Sequence, residues 1–440
     1  MFLLSPSGGF PRSLIQWDSQ HYLDIARRGY QLPETWIQQA RERGVKASSF
    51  ATPQSVHQRE ANLGFFPAYP MIVRAVSGAV ESVQRKEGQD PAKGVDPGPG
   101  DSRGDSPQVA RLEGVALAIS WLSFLAACLY WTRLASPHLG TRGGLRARDY
   151  GILFLQPVTF FLLAGYTESL FLLAILGFFL SLEQLKGESE GAAEGTRSLL
   201  SQAWTFLLVC LFGILLTGTR LFGLACVAAA CVELVDRWFR RRHLSASENF
   251  TEERNKIWLG LGACLVSLAG AGSFFVYSWL QFGEWDLYFK LQEIGWKNYP
   301  DFFFFLKPWT YLPAWFFEDT WVSVSKMAVP VAVVVSVLLA RRLRTKDLGL
   351  QLAAGFMTYL VAAGKARENM DSVIRYLLPV WWIQWGLFLR NKPLLLSGTT
   401  SKFSEARSIL VRVAILVGVV LLLAFQGFFA YRFLRGRWVA

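Results

Sequence analysis

Cysteine is scarce in this chain and poorly placed for chemistry: there are five, Cys128, Cys210, Cys226, Cys231 and Cys264, all in apolar stretches. None has the spacing of a zinc site or of an extracellular disulfide framework, so they read as helix-packing residues. The opening MFLLSPSGGFPRS has neither a basic n-region nor an adequate apolar h-region. No cleaved signal peptide is expected, and membrane insertion should rest on internal helices. No convincing internal repeat is visible, which weighs against a transporter built from two related halves without removing that reading.

Apolar residues are abundant. The chain is 52% hydrophobic, with 34 Phe and 17 Trp, and its mean hydropathy is +0.28, beyond what a soluble domain carries. A hydrocarbon core of roughly 30 Å takes about 20 apolar residues per helix, so a chain of this length supplies many crossings and sizeable loops. The net charge of +12 invites a nucleic-acid partner, but the Lys and Arg residues cluster between hydrophobic runs, where a membrane protein uses them to set orientation. No nucleic-acid partner is expected.

The hydropathy pattern predicts an all-α polytopic membrane protein with about ten transmembrane helices, at 111–135, 150–165, 167–184, 201–217, 220–236, 257–281, 322–340, 348–364, 373–390 and 409–431. The run 150–184 would be roughly 50 Å long as one helix, so a reversal is placed near Gly165 to Glu168. A second falls at Thr217-Gly218-Thr219-Arg220, where a charge inside lipid would be costly. Pro67, Pro70 and Arg74 interrupt 64–83, which reads as a juxtamembrane or re-entrant helix. Loops then assigned to the cytoplasm hold 21 Lys and Arg against seven in the opposing loops, as the positive-inside rule requires. The C-terminal Arg432, Arg435 and Arg437 disagree with that parity.

Two regions follow. Residues 1–110 form a non-cytoplasmic segment with juxtamembrane helices and a flexible Gly-, Pro- and Asp-rich loop at 84–110, in which Arg103-Gly104-Asp105 reads as accidental. Residues 111–440 form a multi-helix transmembrane domain with an aromatic non-cytoplasmic loop at 282–321. The sequon Asn249-Phe250-Thr251 lies in a cytoplasmic loop and carries no meaning there.

This topology brings four polar clusters to one membrane face: Trp17-Asp18 through Tyr30, Tyr166-Thr167-Glu168-Ser169, Arg220, and Lys365 through Tyr376. A face that handles a lipid phosphate needs cations, aromatic surfaces and a carboxylate to take a proton, and these clusters supply each type. Spacing alone leaves Asp18 open as a helix cap or a general base. His21 and Asp24 could join it as metal ligands, but one segment with no second cluster is a weak signal, and a solvated interfacial helix bearing Trp17 and Tyr22 is the plainer reading. No cofactor is implied, and a divalent cation remains compatible with these residues.

Glu168 must pair with a cation, line a cavity or stabilise a helix start. Arg220 fits a phosphate ligand or an interfacial anchor. Lys365, Arg367 and Arg375, beside Tyr376, break the local charge rule as a phosphate-binding face would. In the 282–321 loop, Gln292 and Trp296 are candidate substrate contacts, although an interfacial aromatic belt accounts for the same composition.

These pieces form an ordered set. Trp17-Asp18, Tyr22 through Ala26, Gly29-Tyr30, Phe65-Phe66-Pro67-Ala68-Tyr69-Pro70, Gln156-Pro157, Phe160-Phe161, Tyr166 through Phe171, Gly218-Thr219-Arg220 and Arg375-Tyr376 together resemble the PIG-V family of GT-C-type membrane mannosyltransferases. The resemblance implies a GT-C-like fold and a sugar donor linked to polyprenyl phosphate. It further implies a membrane-lipid or glycan acceptor, Asp18 as the catalytic carboxylate, and Arg220 or Arg375 on the leaving phosphate. Eukaryotic members add the second mannose during glycosylphosphatidylinositol anchor assembly on the luminal side. The implied location is the endoplasmic reticulum in a eukaryote or the plasma membrane in a prokaryote, with the site on the non-cytoplasmic face. Members carry a transmembrane helix before the tryptophan–aspartate pair, whereas only 16 residues precede Trp17 here, a departure from the family pattern. The turn reads Arg220-Leu221-Phe222-Gly223, whereas eukaryotic relatives tend to have a small polar residue and Asn after the Arg; the acceptor is therefore left open.

Overall fold

The computed structural model describes residues 12–31, 62–86, 107–136, 147–187, 199–241, 249–296, 300–307, 328–340, 347–364, 372–396 and 426–435, with isolated positions 145, 420, 423 and 424. Among the described residues all regular structure is helical, with no strand. The helices are α1 (Asp18–Arg28), α2 (Ala68–Lys86), α3 (Pro107–Ala135), α4 (Ala147–Phe154), a 3-10 turn (Thr159–Leu162), α5 (Glu168–Leu185), α6 (Leu199–Thr219), α7 (Gly223–Arg241), α8 (Asn249–Ser267) and α9 (Ala269–Phe282). They continue with α10 (Leu287–Trp296), a 3-10 turn (Phe304–Leu306), α11 (Ala328–Ala340), α12 (Leu348–Gly364), α13 (Val373–Tyr376) and α14 (Leu378–Leu396).

Four helical stretches among the described residues are long and apolar enough to cross a membrane: α3, α5, α6 and the near-continuous pair α8–α9 over Thr251–Phe282. Helix α5 is the hub. It is apolar on every face, 78% of its spanning window is buried, and it packs between α3 and α6. Helix α6 is apolar too, yet Leu200, Trp204, Leu207, Leu211 and Ile214 form an exposed stripe at helical spacing. An apolar stripe of that length is what lipid would cover.

Several expectations change. The stretch 150–165 is not a single helix: α4 stops at Phe154, and the chain passes Gln156-Pro157 into the first 3-10 turn. Pro157 lacks an amide donor and disfavours helical backbone at the residue before it. The segment still climbs along α3, since Tyr150 meets Thr132 at 3.2 Å near its lower end and the Leu163 carbonyl accepts from Trp121 at 2.8 Å.

The expected helix 257–281 is broken at Leu268. The Thr217 hydroxyl of α6 enters the gap, donating to the Ser267 carbonyl at 2.5 Å and accepting from the Ala271 amide at 3.2 Å. An inserted side chain of this kind is a recognised cause of helix breaks. The insertion needs close contact: a Cβ on Gly270 would lie 2.1 Å from the Ile214 carbonyl oxygen.

Helix α2 runs unbroken from Ala68, with Pro70 in its first turn where a missing amide is harmless, and extends to Lys86. The polar loop expected at 84–110 therefore starts later and ends before Pro107, and its central residues lie outside the described set. Asn249 opens α8 instead of lying in a loop. Helix α10 and a 3-10 turn occupy part of the aromatic loop, whose residues 308–321 lie outside the described set, as does most of 409–431.

A charge network at the far end of α5 holds the bundle together. Arg390 of α14 bridges Glu183 of α5 at 2.9 Å and Asp347 at 3.1 Å. Lys186 pairs with Glu233 of α7, and Arg237 of α7 pairs with Glu253 of α8 at 2.9 Å. Glu183 lies 15 residues after Glu168, about 22 Å along the helix at ~1.5 Å per residue. Helix α5 is thus pinned by buried ion pairs at both ends.

Candidate active site

At the near end of α5, three helix starts and one turn converge. Helix α1 begins at Asp18, α5 begins at Glu168, Arg220 sits between α6 and α7, and the short α13 carries Arg375. Carboxylates in the first turn of a helix interact favourably with its dipole, which suits Asp18 and Glu168 to these positions. The residue before α1 is Trp17, with no capping side chain, and the Asp18 carboxylate reaches across the fold.

The Arg375 Nη2 donates to Asp18 Oδ2 at 2.7 Å, and its Nε lies 3.1 Å from Glu168 Oε1. The Arg220 Nη2 donates to the same Glu168 Oε1 at 2.5 Å, and its Nε donates to Thr167 Oγ1 at 2.9 Å. One carboxylate oxygen therefore stands between two guanidinium groups. Its twin, Oε2, is buried with no hydrogen-bond partner among the described residues, an arrangement that invites a further donor such as water or a hydroxyl. The side chain of Glu168 is 0% exposed and meets two cations while also opening α5, so two of the three roles open to it from sequence coincide.

Aromatic rings close the cluster. Arg375 lies 5.2 Å from the centroids of Tyr166 and Tyr376 and 5.3 Å from that of Phe161. Arg220 lies 5.5 Å from Tyr376 and 5.8 Å from Phe171. Such faces favour a cation, more so when water is excluded. Tyr166 donates to the Gln16 carbonyl at 2.9 Å, and the Tyr22 hydroxyl sits 3.4 Å from Thr167 Oγ1. Burial pushes the Tyr22 phenol above its ordinary range, with Arg220 opposing, and burial does the same to Tyr166. Both stay protonated.

Backbone geometry singles out the same pair. Among the described residues the non-glycine positions with positive φ are Trp17, at 49°, and Ser372, at 67°. Trp17 adjoins Asp18, and Ser372 opens the turn that carries Arg375. Each such conformation costs about 1–3 kcal/mol and persists only where surrounding structure enforces it, often at functional sites. Trp17 is 39% exposed and lies at the edge of the cluster, beside the carboxylate.

Of the residues singled out in the sequence, Asp18, Tyr22, Tyr166, Glu168, Arg220, Arg375 and Tyr376 meet here. Others do not. His21 stacks on Phe65 at 4.7 Å, and Asp24 is held by Arg28 at 2.7 Å and Asn62 at 3.1 Å, so this acid braces α1 against the 62–66 segment. Gln292 donates to the Gly64 carbonyl at 2.9 Å, tying α10 to the same segment. The side chain of Trp296 and residues Lys365 and Arg367 lie outside the described set. Thr167 and Phe161 were visible only as parts of longer motifs, and nothing about a serine before Val373 announces a left-handed backbone at Ser372.

Chemically, the cluster offers one carboxylate at the edge, two fixed cations behind it and an aromatic lining. Two carboxylates balance two guanidiniums, so an added anion finds both arginines already held in place. No family model matches the chain, and no curated protein matches it.

Proposed function

We propose that the protein is a polytopic membrane glycosyltransferase of GT-C-like architecture, with about ten crossings, that moves a sugar, by preference mannose, from a polyprenyl phosphate to a lipid or glycan acceptor. The reaction takes place on the non-cytoplasmic face, in the plasma membrane of a prokaryote or the endoplasmic reticulum of a eukaryote. The observation that carries this reading is the contact between Asp18 and Arg375 within a cluster that also holds Glu168 and Arg220. A base for the acceptor hydroxyl and cations for the departing phosphate are what such a transfer requires.

Asp18 takes the proton of the acceptor hydroxyl as its oxygen attacks the anomeric carbon. The bond from that carbon to the phosphate oxygen breaks on the opposite face, its electron pair leaves with the polyprenyl phosphate, and configuration inverts. Negative charge passes from Asp18 to the departing phosphate, toward Arg375 and Arg220. Glu168 holds the two arginines and stays out of the proton transfer.

The test is incubation of purified protein with labelled polyprenyl-phosphate sugars and candidate lipid or glycan acceptors. Transfer that disappears in Asp18→Asn supports the reading; absence of transfer from any donor, alongside transport that needs no donor, overturns it. One observation favours that second reading, a lipid or solute transporter: buried ion pairs close both ends of α5, as two gates would.

A further inference from the structure

Arg375 faces two demands at once if the proposed reaction is right. It is paired with Asp18 at 2.7 Å, so while that contact lasts one Asp18 oxygen is committed to the guanidinium. It is also one of the two cations suited to the donor phosphate, and both converge on one oxygen of Glu168. Arg375 is 3% exposed and walled by Phe161, Tyr166 and Tyr376. Of its two carboxylates Glu168 is fully enclosed and tethered to Arg220 as well, whereas Asp18 is 14% exposed and at the edge. The Asp18 contact is the one that can open.

We infer that the phosphate group of the donor competes with Asp18 for Arg375, so that donor binding releases the base and the transferase is armed only when its donor is in place. This rests on the proposed glycosyl transfer and adds an order to it: donor first, acceptor second. The charge flow agrees. Before reaction the negative charge facing Arg375 is on Asp18; afterwards Asp18 is protonated and the extra charge is on the polyprenyl phosphate. Arg375 follows the charge from one site to the other.

The experiment measures binding of a short-chain polyprenyl phosphate, and separately of inorganic phosphate, to the full chain in detergent and to its Asp18→Asn variant. If Arg375 is free about a tenth of the time in the resting protein, removing the competing carboxylate tightens binding roughly tenfold. The gain should vanish in the Asp18→Asn, Arg375→Gln double variant. Unchanged or weakened binding in Asp18→Asn overturns the inference. A gain seen with the lipid phosphate alone assigns the site to a lipid headgroup, and an equal gain with inorganic phosphate assigns it to phosphate in general; either supports the competition.

Hydrogen exchange on the unaltered protein guards against a variant that folds poorly. The first turn of α1 should exchange faster when polyprenyl phosphate is added, and slower or unchanged exchange contradicts the release. The two readings fail separately. Sugar transfer with no affinity gain in Asp18→Asn removes the competition and leaves the transferase, whereas the gain without any transfer does the reverse.

Discussion

Asp18 and Arg375 are 357 positions apart in the chain and share a 2.7 Å ion pair that is nearly closed to solvent. Their neighbours Trp17 and Ser372 both have positive φ, Ser372 in the left-handed helical region and Trp17 outside it. Behind them, Glu168 joins Arg375 to Arg220 and makes one unit of four charges. The consequences of that arrangement can be tested residue by residue.

Glu168→Gln keeps the shape of the side chain and removes the charge between two buried guanidiniums. Breaking a buried pair in this way costs about 3–5 kcal/mol, because the remaining charges are left without compensation. The unfolding midpoint in detergent should fall clearly below that of the unaltered protein. An unchanged midpoint would show that Glu168 does not hold the arginines.

At the other end of α5, Arg390→Met should destabilise the protein by a similar ~3–5 kcal/mol, since Glu183 and Asp347 both lose their cation. Activity per folded molecule should remain, because Arg390 meets α5 at Glu183, about 22 Å along that helix from Glu168. Loss of activity at full stability contradicts a purely structural role and strengthens the two-gate reading.

Thr217→Val removes the hydroxyl that bridges Ser267 and Ala271 at the break between α8 and α9. Leaving those groups unsatisfied costs about 1–3 kcal/mol. Amide exchange near Leu268 should accelerate, and unaltered protection there argues against the bridge.

The tyrosines set no limit on activity at neutral pH. Burial disfavours the charged phenolate, so the Tyr22 pKa moves up and the group is neutral below its ordinary value near ~10. Activity profiles of the unaltered protein and Tyr22→Phe should have the same shape from about pH 6 to 9. A basic limb that disappears with the hydroxyl contradicts this.

Much of the helical frame is legible in hydropathy. The stretch 348–364 is a helix with those bounds, 111–135 lies within α3, and a helix break falls at Arg220, between α6 and α7. Other features depend on partners that hydropathy does not name. The break at Leu268 comes from a threonine on another helix, and the split of 150–165 comes from Pro157 inside an apolar run. The cations read as orientation signals near 186 and 237 turn inward onto Glu233 and Glu253, because tertiary packing offers them carboxylates there.

The candidate site was legible as a set of residue types and an order of motifs, and its contacts were not. Arg220 reads in isolation as an anchor, yet it shares a carboxylate oxygen with Arg375. Asp18 reads on spacing as a cap, yet its carboxylate reaches a different helix. Asp24, six residues after Asp18, lies on another side of the same short helix and turns to Arg28 and Asn62, while His21 stacks on Phe65.

Sugar transfer is best measured in proteoliposomes supplied with labelled polyprenyl-phosphate mannose and a lipid acceptor. The unaltered protein should form product, and Asp18→Asn should lower the rate roughly 10²–10⁴-fold, the span expected for loss of a general base. Transfer at an undiminished rate in Asp18→Asn would contradict that role.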